Sequence, residues 1–172
     1  MKYALVATPA PSAKVIEAEL IALLPTARRF AFFLAGSSGR AEDVLQDTMI
    51  RAWENAHRFQ AGTNLKAWVF TILRNVHYSE LRKSHRPVHS FGYVNAFEPA
   101  VPPNQDANLE FGEFDRIFRR LSNTQRQALF LVGANGLSYE ESARMCGCPV
   151  GTMKSRVSRG RSELRRALAI VG

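Results

Sequence analysis

Leu137–Arg166, LSYEESARMCGCPVGTMKSRVSRGRSELRR, is the stretch whose reading decides the fold. Ser138 is followed three residues later by Glu141, so hydroxyl and carboxylate can satisfy the orphan N–H groups of a first helical turn. Gly147 can take the left-handed conformation that stops this helix, and Pro149 suits the first turn of the next. From Met153 onward the apolar residues Met153, Val157, Leu164 and Leu168 recur near helical spacing. Lys154, Arg156, Arg159, Arg161, Arg165 and Arg166 fill the other directions, with Glu163 the only acid. A short helix, a glycine turn and a cationic second helix predict a helix-turn-helix, whose second helix enters a DNA major groove. A basic amphipathic helix alone is often a solvated surface. Two capped helices meeting at a tight turn are not accounted for that way.

Upstream, Ser122 and Gln125 form another capping box. Ala128, Leu129 and Val132 supply an apolar face, and Asn135–Gly136 closes the helix. The expectation is a small helical domain over residues 109–172.

The chain has 172 residues and a net charge of +8, which favours a polyanionic partner, nucleic acid before an anionic membrane surface. No segment approaches the roughly 20 apolar residues of a membrane span. Glu17 and Glu19 interrupt the early apolar run, so it fails as a signal peptide. No membrane insertion and a cytoplasmic location are expected. Cys146 and Cys148, the only cysteines, lack zinc-site spacing and are read as apolar filler in the helix-turn-helix corner, with a redox or metal role as the weaker alternative. His57, His77, His85 and His89 are not spaced with carboxylates as a metal site, and no phosphate loop or nucleophile elbow is present. No enzyme activity, metal or cofactor is expected.

The N-terminal half, residues 12–86, is also predicted helical, after a tail at 1–11. Val15, Ile16, Leu20, Leu23 and Leu24 make one amphipathic stretch, and Pro25 is expected to open a second helix ending near Gly36. Between Ala41 and Arg58, Val44/Leu45, Thr48/Met49 and Ala52/Trp53 form a stripe. The opposite side shows Glu42, Asp43, Asp47 and Glu54 against Arg51. The helix dipole explains Glu42 and Asp43 as early acids. It explains Gln46 and Asp47 less well, so this acidic face is a candidate docking surface for another protein.

FQAGTN, residues 59–64, is a break in which Thr63 or Asn64 can cap the next helix. Leu65, Trp68, Val69, Ile72, Leu73 and Val76 then form an apolar face, with Trp68 expected in the core. The polar side carries Lys66, Arg74, Asn75, His77, Tyr78, Arg82, Lys83 and, further on, Arg86. Cations interleaved with aromatic and amide groups suit partly unstacked nucleic acid. An ordinary wet face is the plainer reading of the same residues. Residues 87–108 are proline-containing, with little periodicity and no Lys or Arg, and are read as a linker, either a solvated spacer or a segment threaded where a nucleic acid would otherwise run.

In sum, the sequence predicts an all-α chain of two small helical domains joined by a flexible linker. AEDVLQDTMIRAWENAHRFQAGTNLKAWVFTILRN and LSYEESARMCGCPVGTMKSRVSRGRSEL resemble regions two and four of extracytoplasmic-function (ECF) RNA polymerase sigma factors. The resemblance runs in the family's order over residues 20–168. FQAGTNLKAWVFTILRN, LEFGEF and the region-four stretch are similar to the EcfG general-stress branch of alphaproteobacteria.

The resemblance implies promoter-specific transcription initiation. Asp43, Gln46, Asp47 and Arg51 would dock on the clamp helices of the polymerase beta-prime subunit, and region four would meet the beta flap. Lys66, Arg74, Asn75, His77, Arg82, Lys83 and Arg86 would read the −10 element, with Asn75 near a flipped base. Thr152, Lys154, Ser155, Arg156 and Arg159 would face a GGAAC-like −35 element. Lys154 stands where many relatives carry Arg. A NepR-type anti-sigma protein is the implied regulatory partner. Two other readings stay open. One is a sigma-mimicking anti-anti-sigma regulator, which would need neither set of DNA-facing cations. The other is a conventional helix-turn-helix repressor, for which no dimerisation element is evident.

Overall fold

The computed structural model describes residues 13–83 and 114–169; the tail 1–11, the linker 87–108 and Arg86 lie outside the described residues. Every regular element among the described residues is a helix. Contacts divide the chain into two units, Met1–Gly92 and Tyr93–Gly172.

The first unit packs α1 (Ala13–Ala35), α2 (Ser38–Glu54) and α3 (Leu65–Lys83) against one another. Pro25 does not open a new helix but lies inside α1. The inward stripe Ile16, Leu20, Ala27, Phe30, Leu34 runs through it without changing phase. Pro25 is exposed, and so is Ile21, whose carbonyl would have accepted the missing N–H. Water can satisfy that carbonyl, while breaking the helix would forfeit burial on the other side. Phe30 and Phe70 stack at 4.5 Å, both fully buried. A second cluster joins Ile16 and Leu20 to Ala52, Phe59, Leu65 and Val69. Trp68 packs against it half-buried, its ring 5.6 Å from Phe59.

On α2, Val44, Leu45, Thr48 and Ala52 are buried as the stripe predicted, but Trp53 is 55 % exposed. Because α2 starts at Ser38, Glu42 and Asp43 fall beyond its first turn, where the helix dipole no longer explains them. Glu42 instead pairs with Arg28 of α1 at 3.0 Å. Asn55 ends α2, its side chain donating to the Arg51 carbonyl at 2.8 Å. A 3-10 turn (Ala56–Arg58) and a tight turn at Gly62 (φ 82°) lead to α3. Asn64 rather than Thr63 caps α3: its Oδ1 accepts from the Ala67 N–H at 3.3 Å, while Thr63 bonds the Gln60 carbonyl.

The second unit comprises α4 (114–120), α5 (Asn123–Ala128), α6 (Tyr139–Cys146) and α7 (Val150–Leu168). Both predicted capping boxes form. The Ser122 N–H donates to Gln125 Oε1 at 2.9 Å and the Ser138 N–H to Glu141 Oε2 at 2.8 Å, each with the reciprocal bond. Past Ala128 the helix widens into a π-helical stretch, Leu129–Ala134, ended by Asn135 and Gly136 (φ 66°). Gly147 (φ 63°) stops α6: its N–H donates to the Arg144 carbonyl and that of Cys148 to the Ala143 carbonyl. Pro149 is the N-cap of α7, one place before the first turn expected for it. Met153, Val157 and Gly160 are buried on α7, but Leu168 is 41 % exposed. The stripe outlasts its partners at that end. Cys146 and Cys148 pack at the edge of this core.

Candidate docking and nucleic-acid interfaces

The acidic face of α2 stands largely clear of the core. Asp43, Gln46 and Arg51 are exposed and Asp47 is half-buried. Asp47 and Arg51 lie 3.9 Å apart, one turn along the helix, a loose pair that leaves both open to a partner. The sequence reading missed Glu80. Burial holds its carboxyl above the ordinary range, reinforced by Asp47 and Asp43 and opposed by Lys83 and Arg51. Three carboxylates from α2 and α3 therefore share one field. The signal was available: Leu73, Val76, His77 and Glu80 follow helical spacing, and an acid on an inward stripe is unusual.

Between α2 and α3 runs an open groove, lined by Asp47, Ile50 and Arg51 on one side and Trp68, Ile72 and Asn75 on the other. Ile50 is 57 % exposed, so the floor and lip of the groove offer apolar surface beside charge. Asn75 is exposed at this groove. Asn75 thus joins α2's docking candidates, not only the cations of its own helix.

The other −10 candidates divide. Arg82 and Lys83 are exposed at the end of α3, and Lys66 is half-buried near its start. Arg74 is half-buried, its guanidinium 4.7 Å above the Tyr78 ring. His77 departs from the expected polar side: it is 8 % exposed, edge-on to Tyr78 at 5.3 Å. Burial lowers its pKa to about 4, helped by Arg40 and Arg74, so the ring is neutral at physiological pH. Its packing makes it a support for Arg74 and Tyr78 rather than a cation presented to phosphate.

In the second unit, α6 and the Gly147 turn carry α7 with Lys154, Ser155 and Arg159 exposed and Thr152 and Arg156 half-buried. Ser155 and Arg159 lie one turn apart on the face opposite Met153 and Val157. Arg156 leans back to the turn, Nη1 3.5 Å from Cys148 Sγ. Glu163 is taken up by Gln125, whose amide donates to it at 3.1 Å. That leaves the outward side of α7 dominated by cations.

Two helical units, the first with an acid-bearing groove and the second with a cationic helix-turn-helix, coincide with two known domains. Residues 20–86 match sigma-70 region 2, and residues 111–164 match sigma-70 region 4. The chain is 47 % identical over 154 residues to the ECF RNA polymerase sigma factor EcfG of Rhodopseudomonas palustris, covering 90 % of this chain and 85 % of that one. The chain belongs to the ECF sigma factors of RNA polymerase. Among other members, it is 32 % identical over 163 residues to SigC of Mycobacterium tuberculosis, 88 % of this chain and 82 % of the relative. This ECF sigma factor also resembles the sigma factor RpoE of Bartonella quintana, solved in complex with the anti-sigma factor NepR. There the TM-score is 0.71 at 43 % identity, covering 91 % of this chain and 98 % of that one. CnrH, solved with the cytosolic domain of CnrY, shares the fold at TM-score 0.58 and 23 % identity. Among the described residues no helix is long and apolar enough to cross a membrane.

Proposed function

We propose that this ECF sigma factor brings core RNA polymerase to promoters of general-stress genes, from the cytoplasm and without catalysis of its own. Residues 12–86 form the docking and −10 module, residues 109–172 the −35 module, and residues 87–108 join them. Asp43, Gln46, Asp47 and Arg51 dock on the beta-prime clamp helices, and region four meets the beta flap. Lys66, Arg74, Asn75, Arg82, Lys83 and Arg86 hold the −10 strand, with His77 behind them. Thr152, Lys154, Ser155, Arg156 and Arg159 face the −35 element, where each well-placed cation on guanine is worth roughly 1–3 kcal/mol of discrimination.

The observation that carries this reading is the separation of charge: Asp43, Asp47 and Glu80 share one field between α2 and α3, while α7 turns its cations outward. The polymerase and the −35 DNA are thereby given different surfaces. A NepR-type anti-sigma protein holds the factor inactive in unstressed cells, a partner suggested by the Bartonella quintana complex.

Reconstitution with core polymerase and run-off transcription tests the reading. Asp43→Lys with Asp47→Lys abolishes capture of polymerase. Alanine at Lys154, Arg156 and Arg159 keeps capture but loses initiation at promoters that need a −35 element. Unchanged initiation by the triple variant would falsify the assignment of α7. Purification from unstressed cells recovers the inhibitor alongside the chain; its absence removes the anti-sigma partner.

A further inference from the structure

We propose that Tyr139 is a positioning residue for promoter reading: its ring holds the Lys154 ammonium in the direction from which that ammonium meets the −35 DNA. The proposal rests on the assignment of Lys154 to −35 recognition.

The Lys154 Nζ lies 5.8 Å from the centroid of the Tyr139 ring, within the reach of a cation–π attraction. Tyr139 is itself well anchored. It is the first residue of α6, directly after Ser138, whose reciprocal bonds with Glu141 at 2.8 and 3.1 Å fix the start of the helix. The ring is half-buried against the core cluster of Ala143, Met153 and Val157. Lys154 is exposed and carries a flexible four-carbon stem. An arginine presents a planar fork that arrives oriented, whereas a lysine ammonium is a point charge that must be ordered on binding. A ring beneath the ammonium removes part of that ordering cost before DNA arrives. Arg156 is restrained from the other side, by Cys148 at 3.5 Å. The supporting helix and the turn thus each orient one cation of the reading helix.

The test uses the full chain with core polymerase and a set of promoters carrying every base at each −35 position. The variants are Tyr139→Phe, Tyr139→Leu, Lys154→Ala and the Tyr139→Leu, Lys154→Ala double. Tyr139→Phe keeps wild-type selectivity. Tyr139→Leu lowers the preference at the base pair read by Lys154 by about two- to five-fold and leaves the other positions alone. In the Lys154→Ala background, Tyr139→Leu changes nothing further. A uniform loss at all positions, or the same loss without Lys154, shows that Tyr139 acts only through packing and overturns the proposal. Damage from Tyr139→Phe equal to that from Tyr139→Leu points to direct contact between the hydroxyl and DNA and overturns it too. Selectivity untouched by Lys154→Ala removes the underlying −35 assignment. Should Tyr139→Leu fail to fold, the wild-type proton spectrum decides: the Lys154 ε-methylene protons lie upfield in the ring current, and an ordinary shift there refutes the contact.

Discussion

A Cβ on Gly160 would stand 2.9 Å from Leu129 Cδ1 and 3.2 Å from its Cγ, so α7 rests directly on the first residue of the π-helical stretch. Gly160 extends the Met153–Val157 stripe, and its lack of a side chain lets the two helices meet. An exposed helical glycine gains about 1 kcal/mol on becoming alanine; here the gain is spent displacing Leu129. Gly160→Val adds two further carbons and is expected to lower stability by about 1–3 kcal/mol. Urea unfolding followed by circular dichroism reads this, and an unchanged midpoint would contradict the contact.

His77 sets a pH dependence of definite sign. Its pKa in the fold is about 4, against an ordinary value of 6.5. Between those values the unfolded chain binds a proton that the fold refuses, so stability is complete above about pH 6.5 and declines as pH falls toward 4. The loss reaches at most about 2 kcal/mol at pH 5. Glu80, held above its ordinary range, works in the opposite direction. Subtracting the profile of His77→Gln from that of the wild type isolates the histidine, and two parallel profiles would show that its burial does not matter.

Glu42 and Asp47 sit on one helix but should behave differently. Glu42 pairs with Arg28 while both remain substantially exposed, so Glu42→Gln costs less than about 1 kcal/mol. It leaves polymerase affinity within about two-fold, a change smaller than 1 kcal/mol. Asp47→Lys weakens polymerase binding at least about ten-fold, or 1.4 kcal/mol, and Glu80→Gln weakens it to a lesser degree. Fluorescence titration of labelled chain against core polymerase ranks the three. Equal losses for Glu42 and Asp47 would mean the docking face is drawn too narrowly.

Ser138→Ala removes the acceptor that binds the Glu141 N–H and should cost about 1 kcal/mol of stability. Its second effect is a weaker −35 preference, because Tyr139 loses its anchor. Thermal melting and promoter-variant binding measure the two, and Ser122→Ala is the control that shares only the first.

The sequence made the local devices plain because they depend on residues a few positions apart. Ser122 with Gln125, Ser138 with Glu141, and the glycine turns at Gly136 and Gly147 all form as read. What spacing could not supply was where a partner helix begins and ends. Trp53 and Leu168 continue their stripes in phase, yet stand exposed, uncovered by any neighbour among the described residues. Pro25 carries a breaker's chemistry, overruled by a stripe buried on both sides of it. His77 sits at the border of its apolar face, and only packing shows which way it falls. The π-helical stretch has no local signature in LFLVGA; the docking of α7 on Leu129 belongs to tertiary structure. Of the site, the acidic and cationic surfaces and the inward spacing of Glu80 were legible, while the coupling of Glu80 to Asp43 and Asp47 and the Tyr139–Lys154 contact required two helices to be seen together.

Asn75 opens onto the same cleft as Asp47 and Arg51. The side chain proposed to capture a base and those proposed to seat the enzyme are therefore neighbours, and cannot drift independently over evolutionary time. A lineage that retunes its promoter alphabet at this wall also tests its grip on the transcription machinery with every substitution. Divergence in target choice is thus easier to achieve at α7, which belongs to the second unit.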